Sequence, residues 1–308
     1  MANIIYLKHE EIDFKRWDDT VLRSFNGIVY AYSWYLDVIC SNWEALVEEN
    51  YKFIFPLTHG RKFGIDYLYQ PFFTQQLGIF SIEKLSPSIV LEMLNTIPQK
   101  YRFIDIKLNT FNKVESDEFV KITNHTYELD LISDYATLSN NFSSNAKRNI
   151  KKAINSKVQI IQNADPQQII DIFRNNRGRF VKVFKTKQYL LLNNIIKKAI
   201  AFDKLEVWGA KDENNHLCAG IFFLRSGNKV ILLFSGSNHV ARKNGAMSFL
   251  LDRFINLNCL QDLTLDFNGS NDTNQARFYA GFGAKECHYL RIRKNLLPWY
   301  LRIVKSYK

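Results

Sequence analysis

Cysteine is scarce, and neither cysteine nor histidine is spaced for metal binding. The chain of 308 residues has 4 cysteines and 6 histidines, with no Cys-x-x-Cys pair and no paired histidine spacing. Structural zinc sites and disulfide frameworks normally show such spacings. We therefore expect free thiols, most of them buried, and no bound metal.

Long hydrophobic runs are also missing. The most apolar stretches, 28–40 and 230–234, are too short or too interrupted for a membrane span, which needs about 20 apolar residues. The first dozen residues carry charges and lack the apolar segment of a signal peptide. We therefore expect a cytoplasmic protein without stable membrane insertion.

Acidic residues are fewer than basic residues. The chain has 41 Lys and Arg against 30 Asp and Glu, a formal net charge of +11, which favours polyanionic partners through long-range attraction. RNA, the phosphates of coenzyme A and acidic membrane surfaces all fit this balance, and so does a solvated basic surface without a partner. Part of the excess lies in the segments 147–152, 174–187 and 291–308.

What the chain does contain is an alternation of β-like and helical segments. Its length exceeds the roughly 250 residues at which single cores usually divide, which predicts two domains, 1–132 and 133–308. The spacing of apolar residues and turns predicts that the second domain opens with a helix. A strand, two helices, a three-stranded meander, a helix, a strand, a helix and a final strand then follow. The predicted elements there are 134–154, 158–161, 167–184, 187–202, 205–210, 217–224, 229–234, 245–257, 263–267, 273–281 and 285–292, with a terminal helix at 296–308.

The most informative stretch runs from Leu263 to Lys285. A predicted strand ends in Asp266-Phe267-Asn268-Gly269-Ser270, and an amphipathic helix follows that closes at Gly283-Ala284. Together with the basic segment 145–153, this stretch resembles the FemAB-like branch of the GNAT acyltransferases. The resemblance implies an α/β fold with a mixed sheet, arranged as tandem GNAT folds. In that fold the last meander strand and the next strand splay apart and leave a wedge for the acyl donor.

The resemblance also implies a site for an acyl-CoA donor after the meander. GNAT enzymes place the coenzyme A pyrophosphate against the backbone N–H groups of a Gln/Arg-x-x-Gly-x-Gly/Ala segment. Arg242, Gly245 and Ala246 fit this segment in part, and Met247 stands where a small residue is expected. Ser235, near the end of the last meander strand, would lie beside the donor.

Tyr279 is the candidate general acid. In many GNAT enzymes a Tyr-x-x-x-Gly-Phe segment supplies a tyrosine that protonates the departing thiolate, and Tyr279 stands four residues before Gly283. Fem ligases have a Phe-Lys-x-x-Phe-Gly pattern here, and Tyr279 replaces its lysine, which favours thioester chemistry over ligation from aminoacyl-tRNA. A tyrosine on a helix is, however, more often a core residue with a satisfied hydroxyl.

Asp266 is the second candidate catalytic residue. It ends a predicted strand, where open α/β sheets place their ligands, so it could orient or deprotonate an acceptor amine with Ser270 nearby. The alternative is a turn in which Asp266 and Ser270 cap the next helix.

Two further places are candidates for binding the acceptor. Arg148 and Lys152 are four residues apart on a predicted helix and suit two-point contact with phosphate or carboxylate groups. Gln70 lies in the aromatic, uncharged segment 67–78, which resembles the acceptor-side loop of bacterial FemAB-like proteins. The alternatives are a solvated helix flank and ordinary core packing.

These features predict an N-acyltransferase that moves an acyl group from acyl-CoA, a thioester donor, to a small-molecule or peptide amine. Two alternatives stay open. One is a Fem-type ligase that uses aminoacyl-tRNA to extend a peptidoglycan peptide, with tRNA as a partner. The other is a non-catalytic GNAT-fold binding protein.

Overall fold

The computed structural model describes residues 3–268 and 271–298. The elements in the first part of the chain are β1 (Ile4–Leu7), α1 (Phe14–Arg23), α2 (Ser33–Ile39), β2 (Glu44–Glu48), β3 (Phe53–Leu57), β4 (His59–Lys62), β5 (Ile65–Tyr69), β6 (Phe80–Ser81), α3 (Pro87–Asn95), β7 (Tyr101–Lys107) and β8 (Val120–Asp130). They are followed by α4 (Tyr135–Asn140), α5 (Ser144–Asn155), β9 (Gln159–Gln162), α6 (Pro166–Asn175), α7 (Thr186–Ala201), β10 (Leu205–Lys211), β11 (Leu217–Ser226), β12 (Lys229–Ser237), α8 (His239–Asn244), α9 (Ala246–Asn258), β13 (Thr264–Asp266), α10 (Thr273–Ala280) and β14 (Lys285–Asn295).

These elements form two compact units. One unit comprises the residues up to Asn124 together with those from His288 onward, and the other runs from His125 to Cys287. Compactness alone does not establish that a segment folds independently. The domain division 1–132 and 133–308 therefore stays a prediction.

The first unit contains two sets of paired strands. β1, β2, β3 and β6 pair in this order, and all of these pairs are antiparallel. β5 pairs antiparallel with β4 and parallel with β7, and β7 pairs antiparallel with β14. Its core packs Phe55 and Leu68 from the strands with Met93 of α3, and all three side chains are nearly or fully buried.

The second unit is built on a mixed sheet. Its strands lie in the order β8, β13, β12, β11, β10 and β9. All neighbours are antiparallel except β12 and β13, which are parallel. α9 packs against the sheet through Phe254, whose ring stacks on that of Phe223 with centroids 3.9 Å apart.

The parallel pair at the centre of this sheet is short. Residues 229–231 of β12 face residues 264–266 of β13, and the pairing ends there. On its other edge β12 stays paired with β11 as far as Ser237. A β-bulge interrupts that ladder, because Leu232 and Phe234 face consecutive residues of β11 and Leu233 is left as the extra residue. Since a bulge bends its strand and increases the local twist, β12 diverges from β13 directly after Ile231.

Three glycines lie in register across the sheet, and two of them, Gly220 and Gly236, let α6 approach it. Gly209 on β10 faces Gly220 on β11, which in turn faces Gly236 on β12. A β-carbon on Gly236 would lie 2.5 Å from the carbonyl oxygen of Ile169 on α6, and one on Gly220 would lie 2.3 Å from the Ile169 side chain. α6 therefore packs directly on the part of β12 that has left β13.

The predicted meander of the second half is confirmed, as β10, β11 and β12, and so is the helix, strand, helix and strand that follow it. The predicted helix 134–154 is wrong, because two helices replace it. Ser143 interrupts the segment as the N-cap of α5, where its Oγ accepts a hydrogen bond from the N–H of Ala146 (3.2 Å). The predicted helix 167–184 ends early at Asn175, and a short 3₁₀ turn (Arg177–Phe180) follows it.

Within the described parts of the chain, no helix combines the length and apolar character needed to cross a bilayer. The helix predicted at 296–308 falls mostly on residues 299–308, which lie outside the described residues.

Gly236→Ala is expected to lower the free energy of unfolding by about 1–3 kcal/mol, the usual cost of overpacking a filled core. The new methyl group would meet the backbone of Ile169, which has no rotamer by which to move away. Equilibrium urea unfolding at constant m-value measures the loss.

Gly227→Asn is the matched control. Gly227 has φ +55° and open space around its α-carbon, and asparagine tolerates this left-handed conformation. We expect the control to change stability by less than about 0.5 kcal/mol. An equal loss in both variants would contradict the close approach of α6.

Candidate functional site

The gap beside β12 beyond Ile231 is the candidate site, and we call it the slot. β13 ends at Asp266, and the N–H of the next residue, Phe267, donates to the carbonyl oxygen of Tyr127 on β8 (2.9 Å). The chain therefore continues along β8 while β12 bends toward β11. The slot is the edge of β12 from Leu232 onward, which faces away from β11 and has no strand partner among the described residues.

Asp266 ends β13 through a local hydrogen bond. Its Oδ1 accepts from the N–H of Asn268 (2.8 Å) and from the hydroxyl of Thr126 (2.7 Å). An aspartate that bonds the backbone two residues on forms an Asx turn. Asn268 accordingly has φ +57°, a conformation that asparagine tolerates better than most residues. The turn interpretation of Asp266 is therefore supported, while the N-cap of α10 is Asp272.

A buried lysine completes the surroundings of Asp266. Lys229 Nζ lies 2.7 Å from Glu128 Oε1 and 4.0 Å from Asp266 Oδ2. Burial works against the Lys229 cation, but Asp266 and Glu128 outweigh it and raise the pKa of Lys229 above its usual range. Burial also raises the pKa of the Asp266 carboxyl, more than the Lys229 ammonium lowers it. Asp266 is 3% exposed, so its immediate partners are these fixed groups.

Tyr279 lies at the border of the slot. Its ring stacks on Phe267, the residue after β13, with centroids 4.8 Å apart, and its hydroxyl oxygen accepts from Gln275 Nε2 (3.2 Å). Burial raises the pKa of Tyr279 to about 12. The phenol is therefore protonated at neutral pH, and the bond from Gln275 leaves its own hydrogen free to be donated.

The structure does not bring the two predicted catalytic side chains into contact. Asp266 joins the polar group around Lys229, whereas Tyr279 packs on the next residue, Phe267. Burial is the main cause that raises the pKa of Tyr279, and the Asp266 carboxylate adds to it, so the two groups are near each other without touching. The roles of Tyr279 and Asp266 stay predictions.

The turn between α8 and α9 carries the predicted coenzyme A residues. Two of its backbone N–H groups are already donated: that of Gly245 to Ala241 O (3.1 Å) and that of Ala246 to Asn244 Oδ1 (3.0 Å). A β-carbon on Gly245 would lie 2.3 Å from the carbonyl oxygen of Asn149 on α5. A backbone cradle for a pyrophosphate needs free N–H groups and open space. Gly245 and Ala246 therefore do not themselves offer N–H groups for such a cradle.

Two predicted donor residues near this turn keep accessible side chains. Arg242 is exposed on α8, and Ser235 is half-buried on β12 beyond the split from β13. The Arg242 guanidinium is thus an exposed cation close to the turn. The cofactor-binding roles of Ser235, Arg242, Gly245 and Ala246 stay predictions.

α5 brings the predicted substrate-binding cations next to the same turn. Asn149 of α5 contacts Gly245, and Arg148 and Lys152 are exposed on the same helix. Arg148 Nη2 donates to Asn145 Oδ1 (2.7 Å), within α5 itself. The basic helix and α8, which carries Arg242, therefore meet at one point.

Gln70 has a structural role in the first unit. Its Nε2 donates to Thr74 O (2.9 Å), and its Oε1 accepts from the N–H of Lys107 (2.9 Å). The amide thus fastens its own loop to β7 with both ends. Its predicted role in substrate binding stays a prediction, and Ser270 lies outside the described residues.

Lys229 and Glu128 are the site residues that sequence reasoning missed. A signal for Lys229 exists, because it is the lone cation of an otherwise apolar strand and Asp266 is the lone anion of the strand that follows. Opposite charges on strands expected to be neighbours predict a pair.

No protein-family model matches the sequence, and no curated protein sequence matches it. Solved structures do match over nearly the whole chain. FemX is 12% identical with a TM-score of 0.67, and the match covers 97% of this chain and 100% of FemX. A Bacteroides thetaiotaomicron protein of unknown function is 9% identical with a TM-score of 0.61, covering 95% of this chain and 99% of that one.

A third match is the C-terminal domain, DUF2156, of an Agrobacterium fabrum protein assigned as a lysylphosphatidylglycerol synthetase. It is 9% identical with a TM-score of 0.59, and the match covers 96% of this chain and 95% of that chain. At such low identity these similarities establish the fold alone. The predicted fold class, tandem GNAT folds on a mixed sheet, and the FemAB-like resemblance are confirmed at that level.

Lys229→Met is expected to lower the free energy of unfolding by about 3–5 kcal/mol, because it leaves the buried Asp266 and the partly buried Glu128 without their cation. Equilibrium urea unfolding measures the change. Lys52→Met is the matched control, since Lys52 Nζ lies 2.8 Å from Glu83 but both side chains are about half exposed. The control should cost less than about 1 kcal/mol. Equal losses in the two variants would show that the burial of Lys229 with Asp266 and Glu128 does not increase their contribution to stability.

Proposed function

We propose that this chain, which shares its fold with FemX, transfers an acyl group to an amine acceptor in the slot beside β12. The observation that carries the proposal is the three-residue pairing of β12 and β13. Beyond Ile231 the edge of β12 that faces away from β11 has no strand partner among the described residues. Main-chain groups on that edge are available to a ligand.

The free edge of β12 suits the chemistry of acyl transfer. Attack of an amine on an activated carbonyl develops negative charge on the carbonyl oxygen, and a preorganised backbone N–H stabilises it. β12 is held in place by β11 on one edge and by α6 on one face. Its N–H groups in the slot would therefore keep their positions during the reaction.

Tyr279 would protonate the leaving group. Its phenol carries a proton at neutral pH. Gln275 donates a hydrogen bond to the hydroxyl oxygen, so the hydroxyl hydrogen can be donated elsewhere. Asp266, with Lys229, would hold the end of β13 in place and so maintain the slot. Asp266 as the base for the acceptor amine remains part of the proposal, with a small-molecule or peptide amine as the acceptor.

The donor that the sequence favours is a thioester of coenzyme A. The N–H groups of Gly245 and Ala246 are already donated, so side-chain cations, above all Arg242, would contribute to binding its phosphates. No step of the reaction is assigned to the coenzyme itself.

The filled turn favours a second candidate, a Fem-type ligase with an aminoacyl-tRNA donor and a peptidoglycan peptide as acceptor. The exposed cations Arg148 and Lys152 lie on the helix that contacts Gly245, and α5 carries no acidic residue. A basic helix suits the phosphate backbone of a nucleic acid, which side chains rather than a cradle of N–H groups usually bind.

Tyr279→Phe is expected to lower kcat about 10²- to 10⁴-fold, the usual contribution of general acid catalysis, and to leave KM nearly unchanged. Single-turnover acyl transfer from the donor that binds measures the effect. Tyr127→Phe is the control, because Tyr127 is also buried in this unit and its hydroxyl donates to Glu286 (3.0 Å). A kcat loss no larger for Tyr279→Phe than for Tyr127→Phe would contradict the role of Tyr279.

The donor class is tested by calorimetric titration with acetyl-CoA and with aminoacylated tRNA. If tRNA is the donor, its affinity should fall steeply with salt, and Arg148→Gln/Lys152→Gln should reduce the log–log slope by about 0.7–0.9 for each phosphate that the variant no longer neutralises. Lys84→Gln/Lys113→Gln, which alters two exposed lysines of the first unit, should leave the slope unchanged. If acetyl-CoA binds and aminoacylated tRNA does not, the donor is the thioester. Failure of both to bind contradicts acyl transfer.

A further inference from the structure

The connection between α6 and α7 is firmly anchored on the sheet. Gly178 packs against the Tyr189 hydroxyl, 2.8 Å from where a β-carbon would stand. The Phe184 ring lies 4.9 Å from Phe173 of α6 and 6.2 Å from Phe234 of β12, centroid to centroid. We call residues 177–190, from the 3₁₀ turn into the first turn of α7, the basic loop.

Other apolar side chains of the basic loop point into solvent. Phe180 is 83% exposed, and Val183 and Leu190 are each 60% exposed. Because Phe173, Phe184 and neighbouring aromatic rings already anchor the loop, these three side chains are not needed for its packing. Exposed apolar side chains that cluster mark interaction surfaces, and these three fall within the eleven consecutive residues 180–190.

The same segment is strongly cationic. From residue 172 to residue 202 there is no aspartate or glutamate. Arg177 lies 3.6 Å from Asp272, whereas the cations between it and Leu190 make no ion pair among the described residues. The cations of the segment are Arg174, Arg177, Arg179, Lys182, Lys185, Lys187, Lys197 and Lys198.

We propose that the basic loop docks the protein on the surface of an anionic lipid membrane. Its cations would meet the negative headgroups while Phe180, Val183 and Leu190 enter the boundary between headgroups and acyl chains. RNA would also attract the cations, and Phe180 could stack on a base. The exposed aliphatic side chains Val183 and Leu190 favour the membrane over RNA. They cannot stack on or hydrogen-bond to a nucleobase, whereas they can enter a lipid interface.

This proposal goes beyond acyl transfer and does not depend on it. Docking at the interface needs no spanning helix, in keeping with the absence of one from the described residues. Each Lys or Arg near an anionic surface strengthens partitioning by roughly fivefold, so the unpaired cations of the loop suffice for reversible binding. The apolar side chains add a contribution that salt does not screen.

Co-sedimentation of the full chain with vesicles tests the proposal. Vesicles of pure phosphatidylcholine are compared with vesicles of phosphatidylcholine and phosphatidylglycerol. We expect binding to the anionic vesicles only, weakened by salt. Phe180→Ser/Val183→Ser should reduce the partition coefficient at least about tenfold, and Lys182→Glu/Lys185→Glu should abolish binding.

Matched controls separate the basic loop from charge and hydrophobicity in general. Phe63→Ser removes an aromatic ring that is 91% exposed in the first unit, and Lys84→Glu/Lys113→Glu makes the same charge change there. Both controls should bind as the unaltered protein does. All substituted side chains lie mainly in solvent or at the surface, so the variants should fold, which circular dichroism checks.

Three results would overturn the proposal. The first is no binding to anionic vesicles. The second is an equal loss of binding in the loop variants and their controls. The third is vesicle binding that Phe180→Ser/Val183→Ser leaves intact, together with binding of tRNA without an attached amino acid that competes with the vesicles. That result would identify the loop as an RNA surface.

Discussion

β12 can pair with β13 only as far as Ile231, because β13 ends at Asp266 and β12 bends at its bulge. Both causes are local. The Asx turn from Asp266 to Asn268 stops one strand, and Leu233 as an extra residue redirects the other. Main-chain groups that a continuous sheet would satisfy are thereby left for a ligand. The slot, the place of Tyr279 beside it and the proposed reaction all follow from this short pairing.

Two further arrangements keep the slot from closing. The glycine row brings α6 against β12 beyond the split, so the strand cannot move back without displacing a helix. Lys229 holds Glu128 and Asp266 on the other strands together at the closed end. Separating Lys229 from the buried Asp266 and the partly buried Glu128 is costly. A site held by packing on one side and by charge on the other is preorganised, which is what electrostatic stabilisation of a transition state requires.

Regular features of the second half could be predicted from the sequence, and features set by distant contacts could not. The meander is predictable because Asp212–Asn215 and Ser226–Asn228 are strong turn signals between apolar runs. The break at Ser143 is a capping signal inside a continuous amphipathic pattern, and the periodicity outweighed it. The glycine row needs knowledge of the strand register before its meaning is visible, since its members are eleven and sixteen residues apart in the chain.

For the candidate site residues too, contacts with distant parts of the chain could not be predicted from the sequence. The motif at Arg242, Gly245 and Ala246 falls at the turn between α8 and α9, but only the fold reveals that Asn149 of α5 packs against Gly245 there. The Gln70 amide clamps backbone of its own loop and of β7, which the sequence did not indicate, and its binding role stays a prediction. Tyr279 is placed by its spacing, whereas the stacking on Phe267 that positions it depends on where β13 ends.

Amide hydrogen exchange along β12, followed by NMR, tests the central claim most directly. In the free protein, the amides between Leu232 and Ser237 that face away from β11 should exchange much faster than those of Val230 and Ile231, and a bound donor should slow them. Strong protection of all these amides without a donor would mean that β12 is paired along its whole length, and it would contradict the existence of the slot.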